Sequence, residues 1–278
     1  VCAQRVMFAI QYALVKAYAD FGIIPSCVIG HSLGEIAASV CAGVLTLQDA
    51  STLIHTRSEV MNRATGLGKM LAVGLSADAV APFLPKQSDK VSIGATNSRK
   101  SCVLSGDAEV LGQIAAEVPK KFPGTFVKFL PVNYAFHSPQ MEHLAKELEQ
   151  RVERSGLKPQ PAKITMYSTL TGKKVSGSEF GAQYVGAQVR STVRFHEAVL
   201  LAMEDRAADV FVELSPHPVL THYVREIAEE KSRSADCGQI CPMRRDNADE
   251  TVAFFASVGI LHQWQVPIDF EKDRKSVV

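Results

Sequence analysis

The sequence predicts an α/β protein: a layered domain with a smaller ferredoxin-like α+β unit inserted into it. Short apolar runs such as Cys27-Val28-Ile29 alternate with helical patterns at both ends of the chain. Between residues 67 and 131 the order becomes β-α-β-β-α-β, complete within about 60 residues. At 46% hydrophobic and 21% charged over 278 residues, the composition is that of an ordinary globular protein with room for a real core.

Each element follows from its local pattern. An amphipathic helix over 5–21 leads through Ile23-Ile24-Pro25 to a strand at 27–29. Gly34 to Ala42 is a small, alanine-rich packed helix. A helix over 47–62 has Thr46 as N-cap and Asp49 in its first turn. The inserted unit runs as strand 69–73, short helix 76–84, strands 91–97 and 101–107, helix 108–121 and strand 125–132. The first pattern then resumes: helix 137–156, strand and turn 163–172, helices 178–189 and 195–206, buried strand 209–216, helix 221–231, strand 238–243 and a final helix 247–265. The expected division is 1–66 and 132–278 for the larger part, including a C-terminal helix or linker, and 67–131 for the inserted unit.

A net charge of +1 gives no reason to invoke nucleic acid or a membrane surface. No apolar stretch is long enough to span a bilayer, and no signal-peptide pattern opens the chain. The six cysteines read as small buried hydrophobes; Cys237 and Cys241 lack a second ligand pair, so no metal is expected. The chain opens directly on a helix and reads as a segment of a longer polypeptide.

Gly30-His31-Ser32-Leu33-Gly34 fits G-x-S-x-G. Alone it is a common turn sequence, but here a strand precedes it and a helix follows, as in a nucleophile elbow. That turn is too sharp for side chains at its flanks and holds the serine exposed and strained. At the helix N-terminus the dipole favours negative charge, and the Leu33 N–H can face an oxyanion. A serine hydroxyl needs a base. Of eight histidines, His31 is read as a packing residue of the elbow, because its neighbour on a sharp turn points elsewhere. His55, His143, His196, His222 and His262 lie in helical, polar-flanked settings that suit surface or capping roles. His137 stands where the inserted unit returns to the larger part, and such junctions border clefts.

Six ordered segments, GHSLGEIAAS, MLAVGLS, SCVLSGD, YAFHSPQME, STLTG and FVELSPHPVL, together resemble the acyltransferase domain of modular and iterative polyketide synthases. That family is related to the malonyl-CoA:acyl-carrier-protein transacylases, and the resemblance covers nearly the whole chain. It implies an α/β-hydrolase-like large subdomain with an inserted ferredoxin-like small subdomain. By the same resemblance Ser32 matches the nucleophile and His137 the general base. A backbone carbonyl would orient that histidine, and we expect it in the loop Ser215 to Leu220. Arg57 matches the family's carboxylate-binding arginine; a guanidinium fork suits the free carboxylate of a malonyl group. Asn97 matches an asparagine near the cleft, with a turn-forming role as the alternative.

Residues 134–137, Tyr-Ala-Phe-His, occupy the family's extender-unit motif. They mix His-Ala-Phe-His, which accompanies malonyl, with Tyr-Ala-Ser-His, which accompanies methylmalonyl. Phe136 fills space that an α-methyl needs, so malonyl is favoured. A methylene is worth only about 1–3 kcal/mol, and the preference need not be absolute. The substrate-binding candidates are thus Arg57, His31, Asn97, Tyr134 and Phe136, with Leu33 at the oxyanion. The resemblance implies no bound cofactor, malonyl-CoA or methylmalonyl-CoA and a carrier phosphopantetheine as substrates, and a cytoplasmic location. The implied partners are an acyl carrier protein and the neighbouring ketosynthase and linker.

One departure stands out. The family begins with a strand and a Gly-Gln-Gly turn that supplies a second oxyanion donor, whereas this sequence opens at the helix after it. Losing one such donor costs about 100- to 1,000-fold in rate. Two rival readings remain: a serine hydrolase or thioesterase, which needs an acidic third member, and an inactive docking module, which would lack Ser32, His137 or Arg57.

Overall fold

A computed structural model describes residues 2–85, 89–245 and 249–273. Positions 247 and 248 of the expected final helix, and 274–278 of the expected linker, lie outside the described residues. Helix α1 (Cys2–Asp20) leads to strand β1 (Cys27–Ile29) and helices α2 (Gly34–Cys41) and α3 (Leu47–Asn62). Next come β2 (Lys69–Val73), α4 (Ala77–Val80), β3 (Val91–Ser98), β4 (Ser101–Gly106), α5 (Ala108–Lys121) and β5 (Val127–Phe129). They are followed by α6 (Glu142–Arg154), β6 (Thr165–Ser168), β7 (Lys173–Val175), α7 (Ala182–Arg190), β8 (Val193–Arg194) and α8 (Phe195–Glu204). Then come β9 (Val210–Val212), α9 (Thr221–Glu230), β10 (Gly238–Ile240), α10 (Glu250–Gln263) and α11 (Phe270–Asp273).

Strands β2 to β5 form one antiparallel sheet in the order β5-β2-β4-β3, the split-βαβ arrangement. Alternation sends Leu71, Val73, Cys102 and Leu104 against Leu111, Ile114 and Val118 of α5. Ala95 and Val103 face the other way, onto Phe195 and Val199 of α8 and Val224 and Ile227 of α9. A strand that local pattern did not suggest, β8, pairs parallel with β3 at Ala95 and Thr96. It fastens the inserted sheet to the larger part.

In the larger part β1 pairs parallel with β6, and β6 antiparallel with β7, so the expected strand and turn at 163–172 opens a hairpin. Strands β9 and β10 pair parallel in a separate sheet. A cavity of about 470 Å³ lies between β1 and β9, lined by residues 27–30 and 210–214 and reaching Gly34 and Gln11. The main core gathers Ile36, Leu53, Met61, Leu148, Met166 and Phe180. The helix expected from 137 starts later, at Glu142, after a single 3₁₀ turn at Pro139–Met141. His137 has φ +63, a left-handed conformation that cannot continue a right-handed helix. Among the described residues no helix is long and apolar enough to cross a membrane, and no cluster of His, Cys, Asp or Glu can hold a metal ion.

Candidate active site

Four residues separate the end of β1 from the start of α2. A Cβ at Gly30 would lie 2.2 Å from the Glu35 amide nitrogen, so only glycine fits. Gly34 departs from expectation: a Cβ there would meet only the Gln11 side chain, at 3.7 Å, because this flank opens toward the cavity. Ser32 has φ +50, which L residues rarely adopt. Its carbonyl accepts from the Glu35 N–H at 3.0 Å and from Gln188 Nε2 at 3.1 Å, which hold the turn. Leu33 is the N-cap of α2, where the N–H has no intrahelical acceptor.

His137 Nε2 lies 2.8 Å from Ser32 Oγ, and its Nδ1 lies 2.9 Å from the Ser191 carbonyl oxygen. A carbonyl can only accept, so Nδ1 carries the proton and Nε2 is the acceptor for the serine hydroxyl. The His137 main-chain N–H donates to the Val189 carbonyl at 2.9 Å. The orienting carbonyl is therefore at the end of α7, not in the loop Ser215 to Leu220. The last carbonyls of a helix lack intrahelical donors and are available. The 215–220 loop is instead pinned by Glu213, whose carboxylate accepts from the Val219, Leu220 and Thr221 N–H groups. Burial, then the positive charge of Arg57, push the His137 imidazole down to about 3, so it is neutral at pH 7.

Arg57 is 2% exposed on α3. Its Nη1 donates to Gln4 Oε1 on α1, while its buried Nε has no hydrogen-bond partner. Among the described residues no carboxylate pairs with it. Burial lowers its pKa to about 10. Its charge acts on both Tyr134 and His137, which places the three in one electrostatic environment. The Tyr134 and Phe136 rings stack with centroids 3.9 Å apart and planes at 19°. The side chain of His31 engages β3 and α8: its Nε2 donates to Asn97 Oδ1 at 3.0 Å, and its ring lies 5.4 Å from that of Phe195. Asn97 sits buried within β3 rather than in a turn, and ties the inserted sheet to the elbow.

Local reading overlooked Glu35, Gln188, Ser191 and Gln4. Glu35 is wholly buried in the first turn of α2. It accepts from the Thr169 N–H at 2.5 Å, from Tyr184 OH at 2.9 Å and from Gln188 Nε2 at 2.6 Å, while the Thr169 hydroxyl donates to the Gly30 carbonyl at 2.7 Å. Burial raises its pKa, and these donors oppose the rise. An acid followed by Ile36-Ala37-Ala38, in a helix this apolar, was a usable signal. Gln188 and Ser191 gave none.

A family model described as an acyl transferase domain matches residues 1–267. Erythronolide synthase EryA2 of Saccharopolyspora erythraea is 37% identical over 269 residues, 96% of this chain and 7% of that protein. The highly reducing polyketide synthase FUM1 of Gibberella moniliformis is 33% identical over 265 residues, 94% of this chain and 10% of that protein. The chain thus spans a tenth or less of the length of these two relatives. Among solved structures, the acyltransferase domain from module 8 of the salinomycin polyketide synthase matches with TM-score 0.90 at 32% identity, over 97% of this chain and 62% of that one. The acyltransferase domain of the polyketide synthase PpsC of Mycobacterium tuberculosis matches with TM-score 0.80 at 30% identity, over 87% and 72%. The two-subdomain α/β fold is the one these domains share. With that fold, a match along nearly its whole length and relatives of one kind, the chain belongs to the acyl transferase domain family of polyketide synthases and is an acyltransferase.

Proposed function

We propose that this domain loads a malonyl-type extender unit from acyl-CoA onto Ser32 and passes it to the phosphopantetheine thiol of an acyl carrier protein, with malonyl favoured over methylmalonyl. The observation that carries the reading is the 2.8 Å contact between Ser32 Oγ and a His137 Nε2 left free to accept by its Ser191 tether. His137 takes the Ser32 proton as Oγ attacks the thioester carbonyl, and the Leu33 N–H meets the oxyanion. Collapse breaks the C–S bond, and His137 returns the proton to the coenzyme A thiolate. The carrier thiol then gives its proton to His137 and attacks the acyl-serine ester, and Ser32 leaves reprotonated. Arg57, buried and without a counter-ion among the described residues, suits the distal carboxylate of the acyl group. Phe136, stacked on Tyr134, takes up room beside the base where an α-methyl would go.

The tether on His137 is a carbonyl, which favours this reading over a hydrolase with an acidic third member. His31 and Asn97 support the elbow through their mutual hydrogen bond. The limits 1–66, 67–131 and 132–278 remain our division of the subdomains, supported by β2 to β5 lying side by side in one sheet, to whose edge the larger part adds β8. The carrier protein, ketosynthase and linker are the proposed partners, in the cytoplasm. Ser32→Ala should abolish transfer of label from radiolabelled malonyl-CoA to the protein; persistent labelling at a serine would end the assignment.

A further inference from the structure

The hydrogen bond from Arg57 Nη1 to Gln4 Oε1 joins helices α3 and α1 at a guanidinium whose charge acts on His137. Arg57 has unusual surroundings for a charge: burial, an Nε without a partner and no carboxylate paired with it among the described residues. A buried cation is ordinarily paired. What meets it is an amide oxygen, which accepts a hydrogen bond yet carries no charge. Glutamate has nearly the same shape and would accept the same bond, but would cancel the guanidinium charge. The residue type at position 4 therefore decides whether Arg57 is spent inside the protein or left open to a ligand.

We propose that Gln4 is a positioning residue that sets acyl selectivity: as a neutral acceptor on Nη1 it fixes the plane of the Arg57 fork and leaves its charge for acyl groups that bear a free carboxylate. This rests on reading Arg57 as the carboxylate-binding residue. Gln4 engages Nη1 alone and Nε is sealed from solvent, so an incoming carboxylate would use the remaining N–H groups of the fork. Gln4 touches neither the thioester nor the dyad in this scheme and acts only through Arg57. Its replacement should then alter the concentration at which a carboxylated acyl-CoA saturates, not the speed of the acyl step.

The test uses Gln4→Glu, Gln4→Met and Arg57→Met in the full-length protein, each checked by thermal melting. Single-turnover acylation is followed with radiolabelled malonyl-CoA and acetyl-CoA over a concentration range. Gln4→Glu should raise the half-saturating malonyl-CoA concentration about tenfold or more, with the maximal rate within about threefold. Acetyl-CoA should be unaffected, so the malonyl-to-acetyl ratio falls. Gln4→Met, which removes the acceptor without adding charge, should move the ratio the same way by less. If Arg57→Met lowers the ratio and neither Gln4 variant does, the inference about Gln4 is overturned and the Arg57 reading stands. If none of the three lowers it, both fall. An equal loss of maximal rate with both acyl-CoAs in the Gln4 variants would make the residue merely structural and also overturn the inference.

Discussion

Replacing Arg57 with methionine should make the domain more stable and less selective at once. Burial lowers the guanidinium pKa from 12.5 to about 10, equivalent to about 3 kcal/mol against the charged form. Methionine keeps most of the length, is not charged and leaves no orphaned Nε. The Gln4 oxygen loses its donor, which costs about 1 kcal/mol in a half-buried setting. The net gain is about 1–2 kcal/mol, or a Tm rise of about 2–8 °C in a protein of this size. Function moves the other way. Two charge-assisted hydrogen bonds to a carboxylate, at about 1.5–3 kcal/mol each, correspond to a loss of about a hundredfold to ten-thousandfold in malonyl-CoA kcat/KM. Acetyl-CoA should be handled as before. Thermal melts and competition between malonyl- and acetyl-CoA, read as protein-bound label, measure both halves. A Tm lowered by several degrees with malonyl preference intact would refute the reasoning and make Arg57 a structural residue.

Phe136→Ser opens space beside His137 and should raise use of methylmalonyl-CoA relative to malonyl-CoA by about 10- to 200-fold in a direct competition; an unmoved ratio would clear the phenyl of any part in selection. The two elbow glycines should differ in urea denaturation. Gly30→Ala forces a Cβ onto backbone 2.2 Å away and should cost about 3 kcal/mol or more, while Gly34→Ala, in open helical space, should stay within about 1 kcal/mol. Equal costs would contradict the geometry. His137 titrates near 3 in the folded protein against 6.5 when free, so the unfolded chain binds its proton first. The resulting loss of stability should begin as pH falls below 6.5, reach about 2–3 kcal/mol by pH 4.5 and level off near 3. His137→Gln should remove that part of the acid sensitivity in urea titrations; an unchanged slope between pH 6.5 and 4.5 would show that the imidazole is not buried as described.

Residues that act through a local pattern were legible in the sequence. The elbow showed itself because Gly30 and Ser32 sit between an apolar triplet and an alanine-rich helix, and the strand-helix-strand order of 67–131 fits the observed sheet order. What escaped was placed by tertiary contact. Strand β8 is two residues long and exists because Ala95 and Thr96 offer it an edge. Ser191 orients His137 through a main-chain carbonyl, and any residue except one that bends α7 differently could present it. Gln4 pairs with a residue 53 positions away. No window of sequence contains both partners.

Both members of the Ser32–His137 pair are non-glycine residues in left-handed backbone conformations, φ +50 and +63. Each such residue costs on the order of 1–3 kcal/mol and persists only where its surroundings over-determine it. Helix α7 does this for both: the Gln188 side chain donates to the Ser32 carbonyl, while the Val189 and Ser191 carbonyls accept from the His137 main-chain N–H and Nδ1. Glu35 in turn binds α7 to the elbow through Gln188 and Tyr184, and binds both to the end of β6 through Thr169. A carboxylate serves here because three donors converge on it, and an amide would turn its N–H₂ toward one of them. The buried acid therefore relates to the pair as a shared anchor: a shift of α7 would move His137 and the Ser32 turn together, since both are tied to the same helix across their 2.8 Å contact.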